Sequence, residues 1–205
     1  MTRDAQQRPD RREEILTAAE ELVTTAGLGA VSVRAVAERA GIGASTLRYW
    51  FPSQDALVTA LARRRVDPQL EDRRIADTSL PATDRLIECL AQFLPATDAQ
   101  IPLLEQWAAL LTTAVGPHAT PLGRATYAGG VQSAADRVQT WLTHLVDEGA
   151  LPPERAATAV PLLLTRIDGL CLGLLPTGTV PDLANALTIL RADVDALLAS
   201  TGPSL

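Results

Sequence analysis

One short stretch of this sequence, Ala44-Ser45-Thr46-Leu47-Arg48-Tyr49, sets small residues, hydroxyls, an arginine and a tyrosine within two helical turns. That set suits reading a nucleic-acid groove. Arginine offers two parallel donors that match the edge of guanine, hydroxyls and tyrosine reach phosphate oxygens, and small residues let a backbone come close. Much other chemistry is excluded by residue type. All 18 basic residues are arginine, so there is no catalytic or Schiff-base lysine and no phosphate loop ending in Gly-Lys-Ser/Thr. The two cysteines and two histidines would all have to converge to make a four-ligand zinc site. No Gly-x-Ser-x-Gly elbow or His-Glu-x-x-His pair occurs. His144 with Asp147 three residues on is an ordinary helix-surface pair. The expectation is a protein that is not an enzyme and holds no metal or cofactor.

The elements that must position this stretch read as all-α. Alanine and leucine dominate, and both favour helix. Residues 9–27 form a first helix with Ile15, Ala19, Leu22, Val23 and Ala26 on one face. Asp10, Glu13 and Glu14 complement the dipole near its start. Ser32 caps a short helix over 33–40, closed by Gly41. A second short helix opens at Ala44 or Ser45 and ends at Phe51-Pro52, and Ser53 caps a fourth with Leu57, Val58 and Leu61 inward. The two short helices, joined by Gly41-Ile42-Gly43, have the physics of a helix-turn-helix. Gly41 supplies a left-handed turn, Ala37 is small enough for a close crossing, and Ile42 and Leu47 close a miniature core. Phe51 is expected inside. Trp50 fits either the groove rim or packing.

Longer apolar segments follow, at 82–95, 98–114, 122–148, 153–175 and 181–199, with Gly129-Gly130 weakening the middle of the third. The formal net charge of −6 argues against a phosphate partner for the chain as a whole. The charge is unevenly spread, however. Residues 1–65 hold ten arginines and eight acids, net +2, and residues 66–205 hold eight arginines and 16 acids, net −8. A basic module joined to an acidic one is therefore expected. Pro161, Arg166, Asp168 and Pro176 break the longest apolar stretches, so a cytoplasmic protein with no membrane partner is expected. Cys89 and Cys171 are expected to be buried free thiols; a disulfide would require the fold to bring them together.

The residues GIGASTLRYWFPSQDAL, preceded by SVRAVAERA, resemble the DNA-binding domain of the tetracycline-repressor (TetR) family over roughly residues 10–62. The stretch from Asp147 to Leu175, with Gly149, Leu151 and Glu154 ahead of Asp168-Gly169-Leu170, is similar to a dimerising helix of some members. The resemblance implies a helix-turn-helix domain at 1–62 and a helical ligand-binding and dimerisation domain at 63–205. It further implies DNA contacts from Ser32, Arg34, Ala44, Ser45, Thr46, Arg48, Tyr49, Ser53 and Gln54. Two positions depart from the family pattern. Arg48 replaces its first aromatic, and Gln54 replaces a lysine that often contacts phosphate. Both are expected to face outward.

The larger domain is expected to dimerise through the helices of 153–175 and 181–199. Their faces carry Val160, Leu163, Leu164, Ile167, Leu170 and Leu174, then Leu183, Leu187, Leu190, Val194 and Leu197, with Gly169 and Gly173 permitting close approach. A pocket for a small-molecule effector is implied by the resemblance, with Phe93, Leu103, Trp107, Leu110, Leu111, Tyr127, Trp141, His144 and Arg166 as candidates. Ordinary core packing is the competing reading for each of them. Arg11, Arg12 and the Arg63–Arg65 run are expected on solvated helix faces, the run answering the helix dipole or Asp67. The resulting expectation is a homodimeric, ligand-responsive repressor on a palindromic operator. Its rival is a helical ligand-binding or scaffold protein that does not bind DNA; the missing lysine and the net acid charge favour it, and the intact turn, Arg48 and Tyr49 argue against it.

Overall fold

The computed structural model describes residues 7–66, 70–175 and 179–199. Among them are nine α-helices and no strand: α1 (Gln7–Ala26), α2 (Val33–Arg39), α3 (Ala44–Trp50), α4 (Gln54–Val66), α5 (Ala82–Leu90), α6 (Ile101–Ala114), α7 (Pro121–Asp147), α8 (Pro153–Gly173) and α9 (Leu183–Leu198). The all-α expectation holds. Two boundaries differ from the apolar pattern. The fifth helix stops at Leu90 and gives way to a 3₁₀ turn, with Leu94 extended at ψ 155°. Pro95 follows, and the residue before a proline is pushed out of the helical region. The seventh helix runs unbroken through Gly129-Gly130.

The chain packs as two units that are not contiguous in sequence. The first comprises residues 1–66 with 110–132, and the second 67–109 with 133–205. In the first unit, Ile15, Leu16 and Ala19 of α1, Val36 and Ala37 of α2, Leu47 of α3, Phe51, and Leu57, Val58 and Leu61 of α4 share one buried core with Ala125 of α7. Phe51 is thus in the core as expected. The reason α7 joins this core lies at Gly129. A Cβ there would sit 2.4 Å from the Thr59 carbonyl oxygen and 2.7 Å from the Ala62 Cβ. Thr59 also donates its hydroxyl to the Ala125 carbonyl at 3.2 Å. Glycine costs a helix about 1 kcal/mol relative to alanine, and here the close approach of α4 accounts for it.

In the second unit, Leu86, Cys89 and Leu90 of α5, Val138, Trp141, Leu142 and Leu145 of α7, Leu163, Ile167 and Leu170 of α8, and Ala186, Leu190 and Val194 of α9 are buried. Arg85 is buried with them. Its guanidinium donates to the Leu80 carbonyl at 3.1 Å, to the Ile75 carbonyl, and to both carboxylate oxygens of Glu148. A buried charge is tolerable only when paired and hydrogen-bonded in this way. Arg191 ties α9 to α5 through Asp84 at 2.8 Å.

The faces expected to dimerise need correction. Leu163, Ile167, Leu170 and Leu174 of the α8 stretch, and Leu190, Val194 and Leu197 of α9, are buried within the chain itself, because each helix turns its most apolar stripe to its own unit. Gly173 also serves internal packing: a Cβ there would meet Val180 at 2.5 Å, whereas Gly169 has nothing within 4 Å. By length and composition α8 is able to cross a membrane (mean hydropathy 1.3 over its most apolar window). It nevertheless carries Arg166 and Asp168, and its apolar stripe is buried in protein, as in the core helix of a globular unit.

Gly129→Ala is expected to destabilise the protein by about 1–3 kcal/mol, the usual cost of overpacking. Thermal denaturation followed by circular dichroism measures it; an unchanged melt would show that α4 and α7 do not approach so closely.

Candidate nucleic-acid interface

The interface begins at Ser32, which has extended backbone angles and whose hydroxyl oxygen accepts the Ala35 N–H at 3.1 Å. That fixes the start of α2. Its end is fixed by two bonds: the Ile42 N–H donates to the Ala37 carbonyl at 2.9 Å and the Gly41 N–H to the Glu38 carbonyl at 3.2 Å. This pair closes a helix only when the intervening residue is left-handed, and Gly41 has φ 65°. Gly43 then opens α3, its carbonyl accepting the Leu47 N–H at 3.1 Å. Leu47 is wholly buried and Ile42 packs half-buried on the same core.

With Leu47 inward, Ala44, Ser45, Thr46, Arg48 and Tyr49 are exposed. Tyr49 is 67% exposed. Trp50 packs half-buried against the core, edge-on to Tyr49 with ring centroids 5.3 Å apart, so packing is its role. Ser53 caps α4 by accepting the Ala56 N–H at 3.0 Å. Because the caps at Ser32 and Ser53 use oxygen lone pairs, each hydroxyl proton remains free to donate outward. Arg34 is exposed in the first turn of α2.

The electrostatics sort the arginines. Glutamates of α1 neutralise four of them: Arg11 pairs with Glu14 at 2.7 Å, Arg12 with Glu13 at 3.8 Å, Arg39 with Glu21 at 3.4 Å, and Arg64 with Glu13 at 3.2 Å and Glu20 at 3.5 Å. Arg64 also donates to the Glu13 carbonyl and the Thr17 hydroxyl, each at 3.1 Å. It therefore staples α4 to α1 rather than standing on a solvated face. Asp67, the alternative partner expected for this run, lies outside the described residues. Arg12 lies over the Phe51 ring at 5.2 Å. By contrast, Arg34 and Arg48 form no ion pair among the described residues. The cleft lined by Glu13, Glu14, Glu21 and Arg39 lies between α1 and α2.

Gln54 faces outward, as expected, and makes one further bond. It is exposed, but its Nε2 donates to the Val31 carbonyl at 3.0 Å, so its amide is turned onto the protein. No sequence signal marked this bond, which joins residues 23 apart. The Arg64 staple did leave a trace: Glu13, Thr17 and Glu20 recur at helical spacing on α1.

The residues expected to line an effector pocket are distributed as follows. Leu110, Leu111 and Tyr127 are half-buried in the first unit. In the second, Phe93 meets Trp141 edge-on at 6.1 Å. Trp141 is wholly buried and donates its Nε1–H to Asp72 at 2.9 Å. Burial pushes the Asp72 carboxyl up, but hydrogen bonds from Trp141 and Arg137 outweigh it and hold the group below its ordinary value. His144 is exposed, so it does not share the buried face of Trp141. Arg166 is exposed and paired with Asp193. Leu103 is 57% exposed and Trp107 half-buried. Of the set, Phe93 and Trp141 are brought into contact. Among the described residues no group of His, Cys, Asp and Glu could hold a metal ion.

These features define an all-α protein with a DNA-binding helix-turn-helix. Residues 15–61 match the family described as bacterial regulatory proteins, tetR family. The chain is 29% identical over 121 residues to the HTH-type transcriptional regulator PksA of Bacillus subtilis, an alignment covering 58% of each chain. It is 27% identical to the HTH-type transcriptional regulator BetI of Burkholderia thailandensis, over 92% of this chain and 94% of that one. Two Rhodococcus transcriptional-regulator structures share the fold. They have TM-scores of 0.55 and 0.53 at 19% and 20% identity, covering 93% and 91% of this chain and 100% and 95% of theirs. Residues 15–61 thus carry the tetR-family match, and the chain is similar over most of its length to a transcriptional regulator.

Cys89 and Cys171 are buried and unpaired with each other. Burial, with nearby acids, pushes both thiols up to about 12, leaving about one thiolate in 10,000 at pH 8. A thiol-alkylating reagent at pH 8 is expected to spare both in the native protein and label both once it is denatured. Rapid native labelling would contradict their burial.

Proposed function

We propose that this regulator is a homodimeric repressor that binds a palindromic operator and leaves it when a small-molecule effector binds. The observation that carries the DNA reading is the state of Arg48 and Tyr49: both are exposed on α3 while Leu47 anchors the helix from behind, and Arg48 is unpaired among the described residues. In this reading Arg48 reads a base edge in the major groove, Ala44, Ser45 and Thr46 allow and flank the close approach, and Tyr49, Arg34, Ser32 and Ser53 contact phosphate. Residues 1–62 carry the DNA work, and residues 63–205 carry effector binding and dimerisation. The site of action is the cytoplasm.

Dimerisation is assigned to the faces of α8 and α9 that the chain leaves uncovered. On α8 these are Ala157, Leu162, Gly169 and Leu172, and on α9 Ala184, Ile189 and Ala192, all exposed. Small side chains beside a few large apolar ones suit two helices from each of two subunits packed together. One reading helix spans too few base pairs for a unique site, and two spaced by a helical turn give operator symmetry. The effector acts only by differential affinity, favouring the dimer conformer whose two reading helices do not fit the operator. The packing of α4 on Gly129 and Ala125 of α7 supports α7 as the element that moves the reading head. Phe93 and Trp141 are the residues best placed together for an apolar effector.

Replacing both Arg48 and Tyr49 with alanine should abolish the shift of promoter fragments while the dimer stays folded. Retained affinity in that double variant would rule out α3 as the reading helix. A genomic selection that enriches no sequence would favour the DNA-independent alternative. Separately, Leu162→Glu with Ile189→Glu should convert the dimer to monomer in analytical ultracentrifugation at micromolar concentration, since charge buried at an interface costs several kcal/mol. A dimer of unchanged affinity would place the contact elsewhere.

A further inference from the structure

The hydrogen bond from Gln54 to Val31 is the feature of the DNA-binding unit that the expected contacts leave unexplained. Gln54 stands in the first turn of α4, at the position where the family pattern has a phosphate-contacting lysine. Its amide is committed instead to the carbonyl of the residue that leads into α2. Val31 is wholly buried, and its N–H donates to the Leu28 carbonyl at 3.1 Å. Both polar groups of this residue are therefore held, one by the turn before it and one by α4. The next residue, Ser32, caps α2, and two residues further on stands Arg34. Since α2 packs on α3, the placement of α2 against α4 also sets the placement of the reading helix.

We propose that Gln54 is a positioning residue for operator binding: through the Val31 carbonyl it holds the start of α2 on the start of α4, and so sets where Arg34 meets the DNA backbone. Gln54 then acts through Arg34 and makes no DNA contact of its own. The inference rests on the DNA-binding reading above. It also gives a physical role to the residue whose loss of charge argued for weakened DNA binding: a lysine contributes a charge at the backbone, and Gln54 contributes a fixed geometry for an arginine elsewhere.

Salt dependence separates the two roles. A charged phosphate contact releases counterions and contributes about 0.9 to the slope of log K against log salt, whereas a neutral amide that touches phosphate contributes nothing to it. The variant is Gln54→Met, which keeps length and flexibility and removes only the polar amide. The full-length protein and an operator fragment obtained by genomic selection are used, with the melting temperature recorded alongside. On the proposal, Gln54→Met weakens operator binding by about three- to tenfold, the range a single hydrogen bond supplies. It also lowers the salt slope by about 0.9 per half-site as Arg34 loses its phosphate. In a Gln54→Met, Arg34→Ala double variant the losses are less than multiplicative, because both remove the same contact. Weaker binding with an unchanged slope and multiplicative losses would overturn the proposal in favour of a direct contact by Gln54. Unchanged binding by Gln54→Met would overturn it as well. Arg34→Ala and Arg48→Ala in the parent background keep this apart from the reading beneath it. If both leave affinity unchanged, the DNA-binding assignment itself fails; if both weaken binding and Gln54→Met does not, only the role of Gln54 fails. Should Gln54→Met lower the melting temperature enough to unfold the protein at assay temperature, Gln54→Lys supplies the second arm. A lysine either donates to Val31 or turns to the backbone and releases Val31, so an unchanged slope supports the proposal, and a slope steeper by about 0.9 per half-site, which requires Arg34 to keep its phosphate without the Val31 bond, overturns it.

Discussion

At Gly41 the backbone takes a left-handed conformation, and the placement of the exposed residues of α3 follows from it. The turn must reverse the chain within Gly41-Ile42-Gly43 so that α3 crosses α2 closely enough for Leu47 to be buried. Both capping bonds at the end of α2 need the positive φ of Gly41, which costs a residue with a Cβ roughly 1 kcal/mol or more. Beyond its chain neighbours, nothing lies within 4 Å of where a Cβ at Gly41 would sit. The demand for glycine is therefore conformational and not steric. Once the turn is made, burying Leu47 turns Arg48 and Tyr49 outward without any further specification.

Gly129 is the opposite case. It lies in the middle of a regular helix with ordinary helical angles, and its requirement is steric: the backbone of α4 occupies the space a Cβ would fill. A glycine pair inside an apolar helical run reads in sequence as a weak point. Tertiary packing makes it the place where α7 joins the core of the first unit. The same sequence signal, a glycine, thus marks a turn in one place and a contact in the other, and only the neighbour across the interface tells them apart.

Within a chain of net −6, ion pairing divides the arginines of the first unit. Acids on α1 consume Arg11, Arg12, Arg39 and Arg64 in contacts that join helices or steady α1. Exposed pairs of this kind contribute little stability individually. Their larger effect is to sort the arginines, so that Arg34 and Arg48 remain unpaired among the described residues. The net +2 of residues 1–65 does not record which charges cancel at contact distance.

The helix-turn-helix was legible in the sequence because its determinants are local. Ser32 as a cap, Gly41 in a left-handed turn, and Leu47 between outward neighbours all act within a few residues of one another. The buried faces of α8 and α9 were also legible, but their destination was not. Periodicity says that Leu163, Ile167, Leu190 and Val194 must leave water; it does not say whether this chain or a second copy covers them, and here the chain itself does. His144 and Trp141 illustrate the same limit, three residues apart on one helix yet one exposed and the other buried against Phe93 and Asp72. What the sequence by itself determined is the set of elements and the outward residues of α3, since backbone geometry and spacing suffice for those. What only the tertiary structure decided is the long-range partner of each side chain: Gln54 on Val31, Arg64 on α1, Gly129 beneath Thr59. Each of these contacts joins residues 23 or more apart, and such a distance is closed by the packing of the whole unit, not by any local preference.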